Sequence, residues 1–339
     1  MQRFTLSFLI ALFTISSVFA QDQTFEFRSK ETLTLAFGSC NRQNLKQPLW
    51  QPIIEHQPDL FMFLGDNIYG DTDDMEVLKE KYDLQKKHAG YEKLRREMPV
   101  IGVWDDHDYG KNDAGKEYPY KEKSQQLFLD FFDVPENDPR REREGAYSSY
   151  DLEWKSNTIR VILLDTRYHM DELDRTNRVY QKSEDGSILG KTQWNWLENQ
   201  LSDERIEFYI IASGIQIISE EHIYEKWGNF PQERQRLFNL IEEKQPNGAV
   251  FLSGDRHIAE ISRLQLDDLK YPLVDVTSSG LTHTWKGEPN EANQHRLGKI
   301  VNELNYGLVK IEETENGLRV IYEIRGENQE LYQVFGLVY

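Results

Sequence analysis

The chain has 339 residues and a formal net charge of −18, from 58 acidic and 40 basic side chains. Such an acidic surface repels nucleic acids and anionic membranes, so the charge argues against both as partners. Cys40 is the one cysteine, which excludes an internal disulfide framework. A chain of this length buries enough apolar surface to fold without disulfides, and we expect one domain over residues 21–339 with no protein partner.

The first twenty residues have the composition of a secretory signal peptide. Arg3 is their only charge, Phe4–Ile15 is apolar, and small residues lead to Ala20 and Gln21. The apolar stretch is shorter than the ~20 residues that span a bilayer. The sequence therefore predicts export to the periplasm or the medium after cleavage near Ala20. An uncleaved membrane anchor is the alternative.

Short runs of apolar, β-branched and aromatic residues alternate with longer amphipathic segments. The predicted strands are Leu33–Phe37, Leu60–Leu64, Val100–Val103, Ile159–Leu164, Phe208–Ala212, Ala249–Leu252 and Leu273–Val276. The predicted helices are Met75–Met98, Glu122–Phe132, Lys191–Leu201 and Gln232–Glu243. This alternation indicates an α/β protein in which much of the sheet is buried.

The last part of the chain has a different pattern, typical of an antiparallel meander that closes a sheet. Its predicted strands are Gly307–Glu312, Arg319–Arg325 and Tyr332–Val338. The charged segments Glu136–Glu144 and His169–Asp185 are predicted to be loops.

Four of the predicted strands lead directly into polar clusters. These clusters are Gly38-Ser39-Cys40-Asn41-Arg42, Gly65-Asp66-Asn67-Ile68-Tyr69, Trp104-Asp105-Asp106-His107-Asp108 and Ser253-Gly254-Asp255-Arg256-His257. Ligands bind at the carboxyl ends of strands in open α/β sheets, so we expect the four clusters to converge on one crevice.

The donors in these clusters are a thiolate, carboxylates, a phenolate and imidazoles. Together they suit trivalent iron beside a second divalent cation better than a lone structural zinc. Asp66 has two oxygens and can bridge two ions, and Tyr69 can reach back to one of them. Two ions ~3.5–4 Å apart can hold a phosphoryl oxygen and activate water. The pattern predicts a two-metal hydrolase of phosphate esters.

The motifs FGSCN (37–41), PDLFMFLGDNIYGD (58–71), PVIGVWDDHDYGKND (99–113) and SGDRHIAE (253–260) resemble those of the alkaline phosphatase D (PhoD-like) family. This family lies within the wider purple-acid-phosphatase and calcineurin-like metallophosphoesterases. The resemblance covers about Leu33 to His283. It implies a four-layer α-β-β-α sandwich, with helices outside two packed β-sheets and the metals at the edge of the sheets.

The resemblance also implies a ligand set. Ferric iron (Fe3+) would be held by Cys40, Asp66, Tyr69 and His257, and calcium (Ca2+) by Asp66, Asp106 and Asp255. Many relatives have aspartate at Cys40, asparagine at Asp106 and histidine at Asp255. Carboxylates in place of neutral ligands favour calcium over zinc. Within Asp105–Asp108 the assignment is open by one residue.

His107 resembles the residue that protonates the leaving alkoxide or steadies the transferring phosphoryl group. The alternative is a histidine that only bonds a neighbouring carboxylate. Candidates for phosphate contact are Asn41, Arg42, Lys111, Asn112 and Arg256. His283 and Gln216 are further candidates for the crevice, and Trp227 is a candidate for a pocket wall.

Two other functions compete with a phosphoesterase of unspecified monoester or diester preference. A secreted, non-enzymatic calcium-binding protein explains the acidity but not the sulfur and nitrogen donors, which are poor calcium ligands. A hydrolase that uses Cys40 and His107 as nucleophile and base is disfavoured, because the sequence around Cys40 lacks a nucleophile-elbow pattern.

Overall fold

Two packed β-sheets with helices on their outer faces make up the computed structural model, which describes residues 23–287 and 291–339. The predicted signal peptide lies outside the described residues. The strands are β1 Gln23–Glu26, β2 Leu33–Gly38, β3 Leu60–Leu64, β4 Val100–Val103, β5 Ser148–Trp154, β6 Asn157–Leu163, β7 Arg175–Thr176, β8 Val179–Tyr180, β9 Ile206–Ser213, β10 Ala249–Ser253, β11 Ala259–Leu264, β12 Leu273–Ser278, β13 Arg296–Val301, β14 Tyr306–Thr314, β15 Gly317–Arg325 and β16 Leu331–Val338. The helices are α1 Trp50–Glu55, α2 Met75–Lys86, α3 Ala89–Glu97, α4 Asp106–Tyr109, α5 Lys121–Phe131, α6 Gly190–Gln200 and α7 Pro231–Lys244.

The eight-stranded sheet has the order β1-β5-β6-β9-β10-β12-β11-β13, and the six-stranded sheet has the order β16-β15-β14-β2-β3-β4. Strands β6, β9, β10 and β12 are parallel to one another. Strands β2, β3 and β4 are also parallel. The predicted meander is confirmed as β14-β15-β16. Each sheet therefore has an edge where the carboxyl ends of several strands meet.

The central strands are buried on both faces, which explains their unbroken apolar sequences. In β3, Leu60, Met62 and Leu64 pack in the core between the sheets, whereas Phe61 and Phe63 pack beneath α1, α2, α3 and α5. Strand β9 divides its side chains in the same way between the inter-sheet core and the layer under α6 and α7. The predicted α/β class with two packed sheets between helical layers is confirmed.

The single helix predicted over Met75–Met98 is wrong, because the segment forms α2 and α3. His88 between them has an extended backbone (φ −64°, ψ 123°). Helix α2 packs mainly on α5 whereas α3 packs mainly on α1, so the two helices have different packing partners. At Gly90 a Cβ would lie 2.9 Å from the Trp50 side chain, which shows how closely α3 approaches α1.

The two segments predicted as loops contain only short regular elements: a 3-10 turn at Pro139–Arg141 and the β7–β8 hairpin. The strands β1, β5, β11 and β13 and the helices α1 and α4 were not predicted. Among the described residues, no helix combines the length and apolarity needed to cross a bilayer.

Packing between β14 and β2 leaves no room for a side chain at Gly307, where an added Cβ would overlap the ring of Phe37. At Gly336, in β16 of the same sheet, the nearest atom to an added Cβ is 3.5 Å away. We expect Gly307→Ala to lower the free energy of unfolding by about 1–3 kcal/mol. Gly336→Ala should change it by less than about 0.5 kcal/mol. Urea denaturation measures both, and equal effects would contradict this account of the packing.

Candidate metal centre

Polar side chains from both sheets meet at the carboxyl ends of the parallel strands. Cys40 follows β2, Asp66 follows β3 and Asp106 begins α4 just after β4. From the other sheet, the turn Asp255–His257 follows β10 and His283 lies beyond β12. The four polar clusters found in the sequence thus lie around one centre.

Four of the six predicted metal ligands have left-handed backbone conformations. The φ angles are 58° at Cys40, 49° at Asp66, 65° at Asp255 and 54° at His257. Such angles are uncommon for residues other than glycine and cost about 1–2 kcal/mol each. Each one turns the chain sharply after its strand. Strain of this kind concentrates at functional sites.

One half of the centre contains sulfur, oxygen and nitrogen donors. Cys40 Sγ lies 3.4 Å from Asp66 Oδ2, and Tyr69 Oη lies 2.9 Å from His257 Nε2. Ligand atoms of Cys40, Asp66 and His257 lie within 4.8 Å of one another. Ser279 supports this half, since its hydroxyl lies 3.0 Å from Cys40 Sγ and accepts the backbone N–H of His257 at 2.9 Å.

The other half is built from carboxylates and is continuous with the first. Asp66 also groups with Asp106 and His107, and Asp106 groups in turn with Asp105 and Asp255, each set within 4.8 Å. Asp66 therefore lies where a carboxylate shared by two ions would be needed. The Oδ1 atom of Asp106 is buried and has no hydrogen-bond partner among the described residues.

The three aspartates of the Asp105–Asp108 segment have different surroundings. Asp108 accepts backbone N–H bonds from Asp105 at 2.6 Å, and from Asp66 and Asn67 at 3.2 Å each, so it shapes the turns. Asp105 Oδ1 accepts a bond from Arg167 Nε at 2.6 Å. Asp106 belongs to two of the three donor groups and faces Asp66.

Burial and mutual repulsion change the pKa values of the acidic groups of the centre. Burial raises the pKa of Asp66 well above its usual value, and burial together with Asp106 raises the pKa of Asp255 to about 6. Burial and Asp66 raise the pKa of the Cys40 thiol. For Asp106, burial acts to raise the pKa, but His107 and other neighbours outweigh it and the net shift is downward.

These shifts mean that Asp106 keeps its charge, whereas burial favours the protonated forms of Asp66 and Cys40. Burial, with His283 and His107, lowers the pKa of His257 to about 3, so this imidazole is neutral. Metal ligands must be deprotonated, and a cation would replace those protons. The buried donor set and the unpartnered oxygen of Asp106 both fit a pair of metal ions.

His107 lies beside the predicted ligands and is fixed by a second carboxylate. Its Nδ1 lies 2.6 Å from Asp71 Oδ1, and its ring stacks on Tyr69 with centroids 4.1 Å apart. Burial acts to lower its pKa, but Asp106, Asp66 and Asp71 raise it to about 11. The geometry therefore holds a protonated imidazole against the carboxylates.

The predicted phosphate contacts have different environments. Arg42 is exposed and its guanidinium lies 4.4 Å from the centroid of the Tyr69 ring. Asn41 is buried and donates to the carbonyl of Asn67 at 3.1 Å. Lys111 and Asn112 are exposed just beyond α4.

Arg256 is buried, and its guanidinium contacts Glu291 and Gln216. It forms an ion pair with Glu291, and its Nε donates to Gln216 Oε1 at 3.2 Å. The amide nitrogen of Gln216 donates to Glu260 at 2.8 Å and to Thr277 at 2.7 Å, so this side chain is used within the sheet. Trp227 is fully buried in the core.

Arg167 is a residue of the centre that the sequence analysis missed. Its side chain is fully buried between Asp105 and Glu225, at 2.6 Å from each. Asp165-Thr166-Arg167 directly follows a predicted strand, the same signal that marked the other clusters. His283, a weaker candidate, does lie in the centre, with its Nε2 3.1 Å from Tyr69 Oη.

Comparison with known proteins agrees with this fold. Residues 35–321 match the model of the PhoD-like phosphatase family. Alkaline phosphatase D of Bacillus subtilis is 25% identical over 69% of this chain and 47% of its own length, so the chain spans about half of that relative. A solved structure of PhoD covers 91% of this chain and 69% of that chain, with 18% identity and a TM-score of 0.72.

A dimetal phosphatase from Danio rerio covers 91% of this chain and 99% of that one, with 13% identity and a TM-score of 0.50. At these identities the two structures establish a shared fold. The family model matches most of the chain, so this protein belongs to the PhoD-like phosphatase family.

Proposed function

We propose that this chain is a metal-dependent hydrolase of phosphate monoesters, diesters or both, and that it uses Fe3+ and Ca2+. Membership of the PhoD-like phosphatase family supports the reaction class. The observation that carries the proposal is the unbroken set of buried donors from Cys40 to Asp255. This set includes a buried Asp106 oxygen that has no hydrogen-bond partner in the described chain.

The donor types divide between the two ions. Cys40, Tyr69 and His257 supply the sulfur, phenolate and nitrogen donors that suit iron, whereas Asp106 and Asp255 supply the oxygens that suit calcium. Asp66 lies in both halves and would be shared. When bound, such an ion pair neutralises charge on the phosphoryl group and activates water.

His107 would donate a proton to the leaving oxygen. Asp71 fixes Nδ1 of the ring, which leaves the other ring nitrogen for the substrate. Arg42, exposed above Tyr69, would contact a phosphate oxygen from the open side. Arg256 would contribute less to phosphate binding, because Glu291 already neutralises its charge.

We also propose that the protein is exported, on the evidence of its first twenty residues. N-terminal sequencing of protein recovered outside the cytoplasm should then begin at Gln21. Recovery of full-length protein bound to membranes would favour the uncleaved anchor.

The metal assignment predicts that the purified protein contains iron and calcium. Asp66→Asn should lose both ions, because an amide cannot match the charge of a shared carboxylate. Cys40→Ala should lose iron, and Tyr69→Phe should abolish the colour that a ferric phenolate gives. Elemental analysis and visible absorption measure these outcomes.

A matched control for these variants is Asp59→Asn. Asp59 is also buried, but it precedes β3 at the opposite end from Asp66 and accepts the N–H of Thr34 at 2.9 Å. The Asp59→Asn variant should retain both metals. Zinc alone at one equivalent per chain would contradict the iron and calcium assignment. Bound calcium without turnover of any ester would favour the non-enzymatic alternative.

The role of His107 predicts that His107→Gln separates chemistry from metal binding. Turnover should fall by about 10²–10⁴-fold with both metals retained, since a general acid contributes that much to rate. The loss should be smaller for aryl than for alkyl phosphates, because an aryloxide needs less protonation. Steady-state kinetics on both ester types measure this. Equal losses would indicate phosphate binding instead, and loss of metal would make His107 a ligand.

A further inference from the structure

Two aromatic rings beside the metal centre, Tyr224 and Trp285, form what we call the aromatic shelf. Their ring centroids lie 5.6 Å apart at an interplanar angle of 78°. Tyr224 is half-buried and Trp285 is 36% exposed. Neither ring belongs to the three apolar cores within the described residues. The shelf therefore lies at the surface.

The shelf is attached to the turn that carries two of the proposed metal ligands. The backbone N–H of Trp285 donates to the carbonyl of His257 at 2.8 Å. The guanidinium of Arg256 lies 4.4 Å from the centroid of the Tyr224 ring. The shelf therefore lies next to the Asp255–His257 turn, through the backbone of Trp285 and the side chain of Arg256.

A second connection joins the shelf to the opposite side of the centre. Glu225, the residue after Tyr224, forms an ion pair with Arg167 at 2.6 Å. Arg167 in turn bonds Asp105, next to Asp106. The position of Tyr224 is thus coupled to both sheets.

The backbone of Tyr224 is held by two buried side chains. Its N–H donates to His222 Nδ1 at 3.3 Å, and its carbonyl accepts from Lys226 Nζ at 2.9 Å. His222 and Lys226 are each only 4% exposed. These two bonds fix the backbone of Tyr224, although burial of ionisable side chains is costly. Binding sites need rigid residues with this kind of support.

We propose that the aromatic shelf binds a planar aromatic group of the substrate, so that aryl or nucleoside phosphates bind more tightly than alkyl phosphates of the same size. This specificity rests on the proposed phosphoesterase function. Because Trp285 is bonded to the His257 backbone, an ester group that extends from the centre past this turn would reach the shelf. Aromatic rings gain from edge and stacked contacts with one another.

The test compares the binding of benzylphosphonate and cyclohexylmethylphosphonate to the metal-loaded protein by calorimetry. The two compounds share a phosphonate and have similar shapes, and neither can be hydrolysed. We expect wild-type protein to bind the aromatic compound about 5-fold more tightly. Trp285→Leu and Tyr224→Leu should remove most of this preference and change the affinity for the cyclohexyl compound less than 2-fold. Trp285→Phe should retain the preference.

Trp196→Leu is the matched control, since Trp196 is a half-buried tryptophan on α6 that contacts Tyr147. It should keep the full preference. Turnover of a nucleoside 5′-monophosphate and of ribose 5-phosphate, in wild type and Trp285→Leu, then separates nucleosides from simple aryl groups. A loss of kcat/KM confined to the nucleotide would identify a nucleoside ester.

Equal affinity of wild-type protein for the two phosphonates would overturn the proposal. So would an equal loss of both affinities in Trp285→Leu and Tyr224→Leu, since that pattern indicates a structural role. The two proposals can fail separately. Ester turnover without an aromatic preference would refute only the proposed role of the shelf. An aromatic preference without turnover of any ester would refute the phosphoesterase function and leave the role of the shelf standing.

Discussion

The charge of several acidic side chains buried at one point is the constraint on which this structure depends. Ligand atoms of Asp66, Asp106 and His107 lie within 4.8 Å of one another, as do those of Asp105, Asp106 and Asp255. Two carboxylates at that distance repel by about 3–4 kcal/mol at an effective dielectric constant of 20. Without a cation, burial and this repulsion favour the protonated carboxyl groups and raise the pKa values of Asp66 and Asp255. A metal pair would convert this repulsion into binding energy.

The strained backbone conformations lie at the ends of strands. There the rigid sheets keep the backbone from relaxing. The left-handed turns at Cys40, Asp66, Asp255 and His257 each follow a strand buried on both faces. Asp108 satisfies the backbone N–H groups of two of the turns that surround the centre. The proposed ligands would therefore be in position before any ion binds, as preorganised sites require.

One turn joins the proposed chemistry to the proposed selection of substrate. Asp255 and His257 face the acidic centre, while Arg256 between them extends to the Tyr224 ring. Changes in the loop that carries Tyr224 could alter substrate preference without disturbing the ligands. Loops on a constant scaffold commonly set specificity in this way. In this chain the loop is coupled to the centre through Glu225 and Arg167.

The sequence by itself determined the strands that carry the ligands and the residue types at their ends. Strands such as β3 are apolar on both faces because both faces are buried. A continuous apolar run of this kind can be recognised from the local sequence alone. The polar residues that follow each strand could also be recognised from the local sequence. Their convergence followed from the rule that parallel strands end at one edge.

Only the tertiary structure decided which side chains turn inward. The sequence does not distinguish Asp105, Asp106 and Asp108, but their contacts in the structure differ. Asp105 bonds Arg167, Asp106 lies beside Asp66, and Asp108 accepts backbone N–H groups of the preceding turn. The partners of Cys40 and Tyr69 include Ser279 and His257, which are 239 and 188 residues away along the chain. No local pattern specifies contacts over such separations, because they depend on how the two sheets pack. The break at His88 also accompanies tertiary packing, since α3 packs mainly against α1 and α2 mainly against α5.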